Sequence, residues 1–312
     1  MISQTNGKAT TGAIWTACIL SAIGIACWNL LPVTLGSAAD SYLLSDQQIG
    51  LLASSLLTGW LIATVVAFFF MQKFDRRWVT ALGACLAAIG SIASQFGDGL
   101  GLLYLTWGLA GFGMAIVYCV SIQLIAELGD IERGFGFKLI SEVSGAAILL
   151  YIFPVFIISV WHYAGASYGV AAVYLSALIF LHWVAPYAPA RKITTKNKKE
   201  SAPFAAWLVL GGTLIFLCGI TGLWAFMERI GTDVGVTTQQ MGVFFVVLKV
   251  VGGLAGVTMV FASGKYGIRW PHIVSFLCIF FGVLTLHTTQ SVLGYAVGTW
   301  IWEDGFSLGV SY

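Results

Sequence analysis

The 312-residue sequence predicts an all-α polytopic membrane protein, and three observations support this fold class. Of its residues, 59% are hydrophobic and only 9% are charged, with a mean hydropathy of +0.91. Soluble domains carry about 25% charged residues. The apolar residues form continuous runs of about 20 or more, the length of a helix that spans a bilayer. These runs lack the alternation over segments of about ten residues that is typical of transmembrane β-barrels.

Ten apolar runs are candidate membrane-spanning helices, separated by Gly, Pro, Asp and basic clusters. They lie at 12–35, 48–71, 78–96, 100–127, 137–160, 165–187, 204–227, 240–262, 271–288 and 291–312. The polar stretch "ARKITTKNKKES" at 190–201 divides six of these helices from four. We therefore predict an N-terminal six-helix bundle at residues 1–189, a basic cytoplasmic linker at 190–202 and a C-terminal bundle at 203–312.

The basic residues predict the orientation of the chain. With the N-terminus in the cytoplasm, 13 of the 15 Lys and Arg residues fall on the cytoplasmic side, namely Lys8, Lys73, Arg76, Arg77, Arg133, Lys138, Arg191, Lys192, Lys196, Lys198, Lys199, Lys265 and Arg269. Cytoplasmic loops of membrane proteins carry such an excess. We expect a multi-pass protein of the inner or plasma membrane, with the lipid bilayer as its solvent. The basic residues form no single patch, so we expect no nucleic-acid partner.

The two halves of the sequence repeat each other with an offset of 192 residues. "SDQQIG" at 45–50 aligns with "TTQQMG" at 237–242, and "KFDRRW" at 73–78 aligns with "KYGIRW" at 265–270. Parallel repeats about an axis along the membrane normal are a transporter architecture, with the site at their interface. The repeat therefore predicts two pseudo-symmetric helix bundles.

Over essentially its whole length, the chain resembles the major facilitator superfamily of transporters. That family has a motif between helices 2 and 3 that reads Gly-x-x-x-Asp-(Arg/Lys)-x-Gly-Arg-(Arg/Lys), and "FFFMQKFDRR" at 68–77 keeps its basic positions. "WGLAGFGMA" at 107–115 is similar to the family's glycine run in helix 4. The fifth helix lacks the Gly-Pro signature associated with proton-coupled antiporters.

This resemblance implies a cytoplasmic gate in the loop between helices 2 and 3 and in its repeat. The candidate gate residues are Lys73, Asp75, Arg76, Arg77, Lys265 and Arg269. Gln72 replaces the family's aspartate, and Asp75 lies close enough to substitute for it. The resemblance also implies an MFS-type fold of six plus six helices. We therefore expect these 312 residues to hold six plus four helices, without helices 11 and 12.

Three charged residues lie deep inside predicted membrane helices, away from the helix ends, where such groups are candidates for function. They are Lys249 in helix 8 and the adjacent Glu303 and Asp304 in helix 10. Their depths differ by about 5 Å, so a salt bridge is possible. Adjacent carboxylates point about 100° apart on a helix, so only one faces the central cavity squarely, and the sequence does not decide which. Repulsion between the two carboxylates would let one carry a coupling proton. The alternative is a static ion pair that only joins helices 8 and 10.

Helix 1 contains "CWNLLP", in which Pro32 releases the carbonyl of Trp28 from the helical hydrogen-bond ladder. Irregular backbone inside a membrane requires protein or a wet cavity to satisfy it. Trp28 and Asn29 are therefore candidate solute contacts, and a plain structural kink is the alternative. Gln123 in helix 4 is likewise a candidate solute contact, with a structural role as the alternative.

The remaining candidates lie on helices 5 and 7. Trp224 is expected on a helix that faces the cavity, either as part of its wall or as filling between helices. Glu228 and Arg229 end helix 7 on the outer side and are candidates for an outer gate. Lys138 and Glu142 are one turn apart and are interpreted as an ion pair at the cytoplasmic surface of helix 5.

These features predict a monomeric secondary transporter that moves a small organic solute by alternating access. Proton symport or facilitated uptake is favoured because the antiporter signature is absent. A proton-coupled efflux antiporter for a drug or metabolite is the first alternative. A non-transporting sensor or a non-functional truncated remnant is the second. The sequence has no phosphate-binding GxxxxGK[ST] loop, nucleophile elbow or Cys/His metal spacing, so we expect no enzyme activity, cofactor or metal site.

Overall fold

A computed structural model describes residues 11–96, 99–127, 131–184, 204–262 and 269–310. Within these ranges the chain is helical and has no β-strand, which confirms the predicted all-α class. The helices are α1 Thr11–Tyr42, α2 Asp46–Phe70, α3 Arg76–Ala93, α4 Leu100–Ala126, α5 Ile131–Ile152, α6 Ser159–Ser176, α7 Phe204–Asp233, α8 Thr238–Ala262, α9 Arg269–Thr288 and α10 Val292–Val310. The predicted linker at 190–202 lies outside the described residues.

By length and composition, six described stretches can cross a membrane, fewer than the ten apolar runs of the sequence. They are Gly12–Tyr42, Asp46–Phe70, Leu100–Ala126, Gly134–Trp183, Ala206–Asp233 and Trp270–Thr288. The fourth stretch contains both α5 and α6, and inside α6 the backbone departs from helical geometry at a kink at His162, where φ is 50° and ψ is −139°. Across this kink, a Cβ atom on Gly169 would lie 2.9 Å from the ring of Phe153.

Two helix ends differ from the sequence prediction. The structure continues α1 to Tyr42, seven residues beyond the expected end at 35, because Leu35, Ala38 and Ala39 are buried against other helices. The structure also ends α5 at Ile152 and continues it as a π-helical turn over Phe153–Ile158, which contains Pro154. A proline lacks the N–H donor of the regular α-helical ladder, which favours such a turn.

The repeated "QQ" segments are the N-terminal caps of α2 and α8. The amide of Ser45 donates to Oε1 of Gln48 at 2.8 Å, and the amide of Gln48 donates back to the Ser45 hydroxyl at 3.4 Å. The same reciprocal pair joins Thr237 and Gln240 at 3.0 and 3.3 Å. This is a capping box, which satisfies two donors that the first turn of a helix leaves free. The repeated "QQ" segments therefore form equivalent helix N-termini in the two halves of the chain.

The repeat also sets the packing of the helix pairs α3–α4 and α9–α10. A Cβ atom on Gly90 would lie 2.5 Å from the amide nitrogen of Ala110, and one on Gly282 would lie 2.7 Å from that of Trp302. Both contacts join the same two positions of the 192-residue repeat. Small residues at such points let helix backbones approach closely. The two halves thus use equivalent residues to place their fourth helices.

Candidate solute-binding cavity

A cavity of about 280 Å³ lies between helices from the two halves of the chain. Residues of α1, α4 and α5 line one wall, and residues of α8 and α10 line the other. Its polar lining residues are Asn29, Tyr118, Lys138, Glu142, Lys249, Glu303 and Ser307. Four of these seven side chains are ionisable as Lys or Glu, in a chain with only 9% charged residues.

The C-terminal wall is more open than the equivalent part of the N-terminal half. In that half, α4 packs directly on α2, since a Cβ atom on Gly111 would lie only 2.0 Å from the carbonyl oxygen of Leu56. The repeat places Glu303 at the position of Gly111. A carboxylate there requires more room between α8 and α10. Gly252 provides part of it, because a Cβ atom on Gly252 would lie 2.9 Å from Oε1 of Glu303.

Lys249 and Glu303 form an ion pair across α8 and α10, with 2.9 Å between Nζ and Oε1. Both are buried, Lys249 at 9% and Glu303 at 4% relative exposure. The ammonium group also lies 4.9 Å from the centre of the Trp224 ring, within the range of a cation–π interaction. The structure thus forms the pair that the helix depths made possible, and it identifies Glu303 as the carboxylate that faces the cavity.

Asp304 lies on another face of α10 and does not line this cavity. It borders a separate crevice together with the apolar residues Val251, Leu254 and Trp300. Adjacent positions on a helix point about 100° apart, which accounts for the separation from Glu303. Asp304 and Glu303 therefore differ in environment although they are neighbours in the sequence.

Lys138 and Glu142 form the predicted ion pair one turn apart, but the predicted location of this pair at the surface is wrong. Their exposures are 9% and 8%, and both line the cavity. Nζ of Lys138 donates to Oε2 of Glu142 at 2.9 Å, and the hydroxyl of Ser21 on α1 donates to Oε1 of the same carboxylate. This face of α5 packs against α1, so the pair points into the bundle. The spacing of the pair was visible in the sequence, but the direction of that helix face was not.

On α1, Trp28 and Asn29 both line the cavity. The carbonyl of Trp28 accepts a hydrogen bond of 2.8 Å from Nε1 of Trp224 on α7. Trp224 is itself buried and stacks on Trp302, with 6.1 Å between ring centroids. Nδ2 of Asn29 donates to the carbonyl of Ile25 at 3.4 Å. By contrast, Gln123 is not among the lining residues, and its buried Oε1 atom has no hydrogen-bond partner among the described residues.

On the side predicted to face outward, α1 and α7 are in direct contact. Nη1 of Arg229 lies 2.6 Å from Oδ1 of Asp40, and a Cβ atom on Gly36 would clash with the carboxylate of Glu228. Oε2 of Glu228 is buried without a hydrogen-bond partner among the described residues. Sequence reasoning missed Asp40 because it placed the end of helix 1 before this residue.

The basic motif after α2 makes its described contacts inside the N-terminal half. Nη1 of Arg76 donates to the carboxylate of Glu127 at 2.7 Å, and Nε of Arg77 donates to the carbonyl of Val184 at 2.8 Å. Asp75 is the N-cap of α3 and accepts from the amide of Arg77 at 2.8 Å.

The other candidate gate residues make fewer described contacts or none. Nζ of Lys73 lies 5.1 Å from the centre of the Phe70 ring. Lys265 and the side chain of Arg269 lie outside the described part of the structure.

Comparison with known proteins agrees with this architecture. The family model of the Major Facilitator Superfamily matches residues 16–311. An uncharacterized 38 kDa protein in the 23S RNA operon of Thermoproteus tenax is 28% identical over 165 residues, which cover 51% of this chain and 42% of that protein. The arabinose-proton symporter of Bacillus subtilis (strain 168) is 28% identical over 93 residues, covering 30% of this chain and 20% of that protein.

Among solved structures, the nucleoside transporter NupG is similar with a TM-score of 0.71 at 16% identity. The similarity covers 96% of this chain and 80% of that one and extends over both halves. The two curated relatives match over less than half of their own lengths, whereas the family model covers nearly the whole of this chain. With its helical fold and its repeated halves, this multi-pass membrane protein belongs to the Major Facilitator Superfamily.

Proposed function

We propose that this protein is a secondary transporter that moves a small organic solute across the inner or plasma membrane by alternating access. The cavity between the two halves is its solute site. The observation that carries this proposal is the buried Lys249–Glu303 pair, whose atoms lie 2.9 Å apart on the wall of that cavity. Removing two charges from water is costly, so ionisable groups inside membrane helices are candidates for solute binding or ion coupling.

The contact between α1 and α7 supports alternating access. Asp40 and Arg229 join the two halves on one side of the cavity, at an ion pair whose side chains are 66% and 31% exposed. An exposed pair of this kind is worth about 0–1 kcal/mol, so it can open without a large energetic penalty. With the N-terminus in the cytoplasm, this is the outer side, and the described conformation is closed there.

Proton symport is the proposed mode of coupling. One relative is an arabinose-proton symporter and one structural neighbour is a nucleoside transporter, so two similar proteins carry small polar solutes by name. Glu303 is the proposed coupling group, because it lines the cavity and its partner Lys249 lies on a different helix. Movement of α8 against α10 would change the distance between the two charges.

The test is a flux assay with the purified protein in proteoliposomes. Radiolabelled L-arabinose, uridine, L-alanine, L-lactate and choline are offered with a pH gradient of either direction. We expect at least one solute to accumulate when it moves in the same direction as protons, and an uncoupler to abolish the accumulation. Accumulation only against the proton flow would instead establish antiport.

Asp304 supplies the matched control, since it is the adjacent carboxylate and lies outside the cavity. Glu303→Gln should abolish proton-driven accumulation, whereas Asp304→Asn should leave it intact. A protein that moves none of the solutes above the rate of protein-free vesicles, under either gradient, would contradict transport and favour the sensor alternative.

A further inference from the structure

We infer that the transported solute is a small zwitterion, a molecule with one carboxylate and one ammonium group, held between two Lys–Glu pairs on opposite walls of the cavity. This inference rests on the proposed transport function and specifies the chemistry of its cargo.

Each wall of the cavity carries one cation and one anion. Lys138 and Glu142 lie on α5 in the N-terminal half, and Lys249 and Glu303 lie on α8 and α10 in the C-terminal half. All four residues have relative exposures of 9% or less. The four charges sum to zero, so the charges of the site are balanced while all four groups are ionised. In that state, a solute that binds must preserve the balance or leave a buried charge without a partner.

A singly charged solute does not preserve it. An anion that approaches Lys249 competes with Glu303 for the same ammonium group, and the displaced carboxylate then has no counter-charge in an apolar environment. A cation that binds Glu303 displaces Lys249, whose ammonium group then has no counter-charge. Removing one partner from a buried pair is strongly unfavourable. With all four groups ionised, the site therefore selects against solutes that carry only one charge.

A zwitterion leaves the net charge of the site at zero. Its carboxylate can bind the lysine of one wall while its ammonium group binds the glutamate of the other wall. The displaced carboxylate and ammonium group then remain in a site that holds equal numbers of positive and negative charges. Binding of this kind links the two halves through the solute, as closure of a transporter around its cargo requires.

An uncharged polyol fits the lining less well. Among the described lining residues, Asn29 is the one amide, and Tyr118 and Ser307 carry the hydroxyl groups. The remaining polar lining is ionic. A volume of about 280 Å³ lies just below the roughly 300–1,000 Å³ of pockets for drug-sized ligands, which limits the cargo to about the size of an amino acid.

Matched solutes test the inference in the same proteoliposomes. L-alanine carries both charges, L-lactate replaces the ammonium group by a hydroxyl, and L-alaninamide replaces the carboxylate by an amide. L-phenylalanine with its hydroxy acid and its amide repeats the comparison at a larger size. We expect uptake of a zwitterion, with both of its single-charge analogues at least about thirtyfold weaker, the minimum effect of leaving one charge of a buried pair uncompensated.

The outcomes separate this inference from the transport function. If arabinose or uridine is transported and no zwitterion is, or if an analogue with one charge matches its zwitterion, the inference is wrong and transport stands. If no solute moves at all, both fail together.

A charge-balanced variant identifies the role of the N-terminal pair. The double substitution Lys138→Met and Glu142→Gln removes both charges without leaving one unpaired. It should lower zwitterion uptake at least about tenfold while thermal unfolding stays close to that of the parent. Lys138→Arg keeps the cation and should retain the preference for zwitterions. Unchanged uptake and selectivity in the double variant would overturn the assignment of Lys138 and Glu142 to the site.

Discussion

The indole nitrogen of Trp224 donates a hydrogen bond of 2.8 Å to the carbonyl oxygen of Trp28. This carbonyl is the one that Pro32, four residues later, leaves without its usual helical donor. Trp224 follows Pro32 by 192 residues, so it occupies the same position in the second repeat. One half of the protein therefore supplies the donor that the other half lacks, at the point where α1 meets α7.

Replacement of this donor should destabilise the protein. Trp224→Phe keeps an aromatic ring but leaves the carbonyl of Trp28 unpaired, at a cost of about 1–3 kcal/mol. Pro32→Ala restores an N–H group that can reach the same carbonyl. The double variant Pro32→Ala, Trp224→Phe should thus lose less stability than the sum of the single variants, measured by thermal unfolding in detergent. Strict additivity would contradict a shared role at the Trp28 carbonyl.

The stability that the Lys249–Glu303 ion pair provides should likewise depend on both partners. Glu303→Gln leaves the lysine uncompensated in a buried site and should cost about 3–5 kcal/mol of unfolding free energy. Adding Lys249→Met to this variant should recover much of the loss, because no charge then remains. Asp304→Asn is the control, and it should change the unfolding free energy by about 0.5 kcal/mol or less. Equal losses from Glu303→Gln and Asp304→Asn would argue against the separate environments of the two carboxylates.

Much of the fold follows from hydropathy and the repeat, because both are properties of local sequence. The helix starts at Ser45 and Thr237 were marked by the repeated "QQ" segments, and each proved to be a capping box. The local sequence contains no comparable signal for the end of α1. Its last turns are held by burial of Ala38 and Ala39 between helices, and this depends on partners that are distant in the sequence.

The candidate site was only partly predictable for the same reason. A charged residue in the middle of an apolar run is recognisable from the sequence as a candidate for function, and Lys249 and Glu303 are examples. Lys138 and Glu142 lie near the start of their helix, where a surface ion pair is common, and only the packing of α5 on α1 turns them inward. Asp40 lies five residues beyond the end of helix 1 that hydropathy predicts, so the sequence does not indicate that α1 presents it to Arg229.

The ion pair between Asp40 and Arg229 should control access from the predicted outer side. Asp40→Asn should shift the population towards the outward-open state by up to about fivefold, the equivalent of about 1 kcal/mol. The measurement is the rate at which a membrane-impermeant maleimide labels Ser37→Cys, in a background without the six native cysteines. Ser37 is buried beside this contact, so the rate reports its opening.

Two controls accompany this measurement. Asp46→Asn removes an exposed carboxylate at the start of α2, on the same predicted side, and should leave the labelling rate unchanged. The double variant Asp40→Asn, Arg229→Gln should label no faster than Asp40→Asn, since the pair is already broken. Faster labelling in the double variant would mean that Arg229 closes this side through another contact.

Close packing of α2 against α4 provides a test of the asymmetry between the two halves. A Cβ atom on Gly111 would lie 2.0 Å from the carbonyl oxygen of Leu56, a backbone atom that cannot rotate away. Gly111→Ala should therefore separate the helices and lower the unfolding free energy by about 1–3 kcal/mol. Gly101→Ala on the same helix meets open space and should be neutral or slightly stabilising, because alanine favours helix formation. If both variants unfolded at the same temperature, the tight α2–α4 contact would not be what distinguishes this half from the one that holds Glu303.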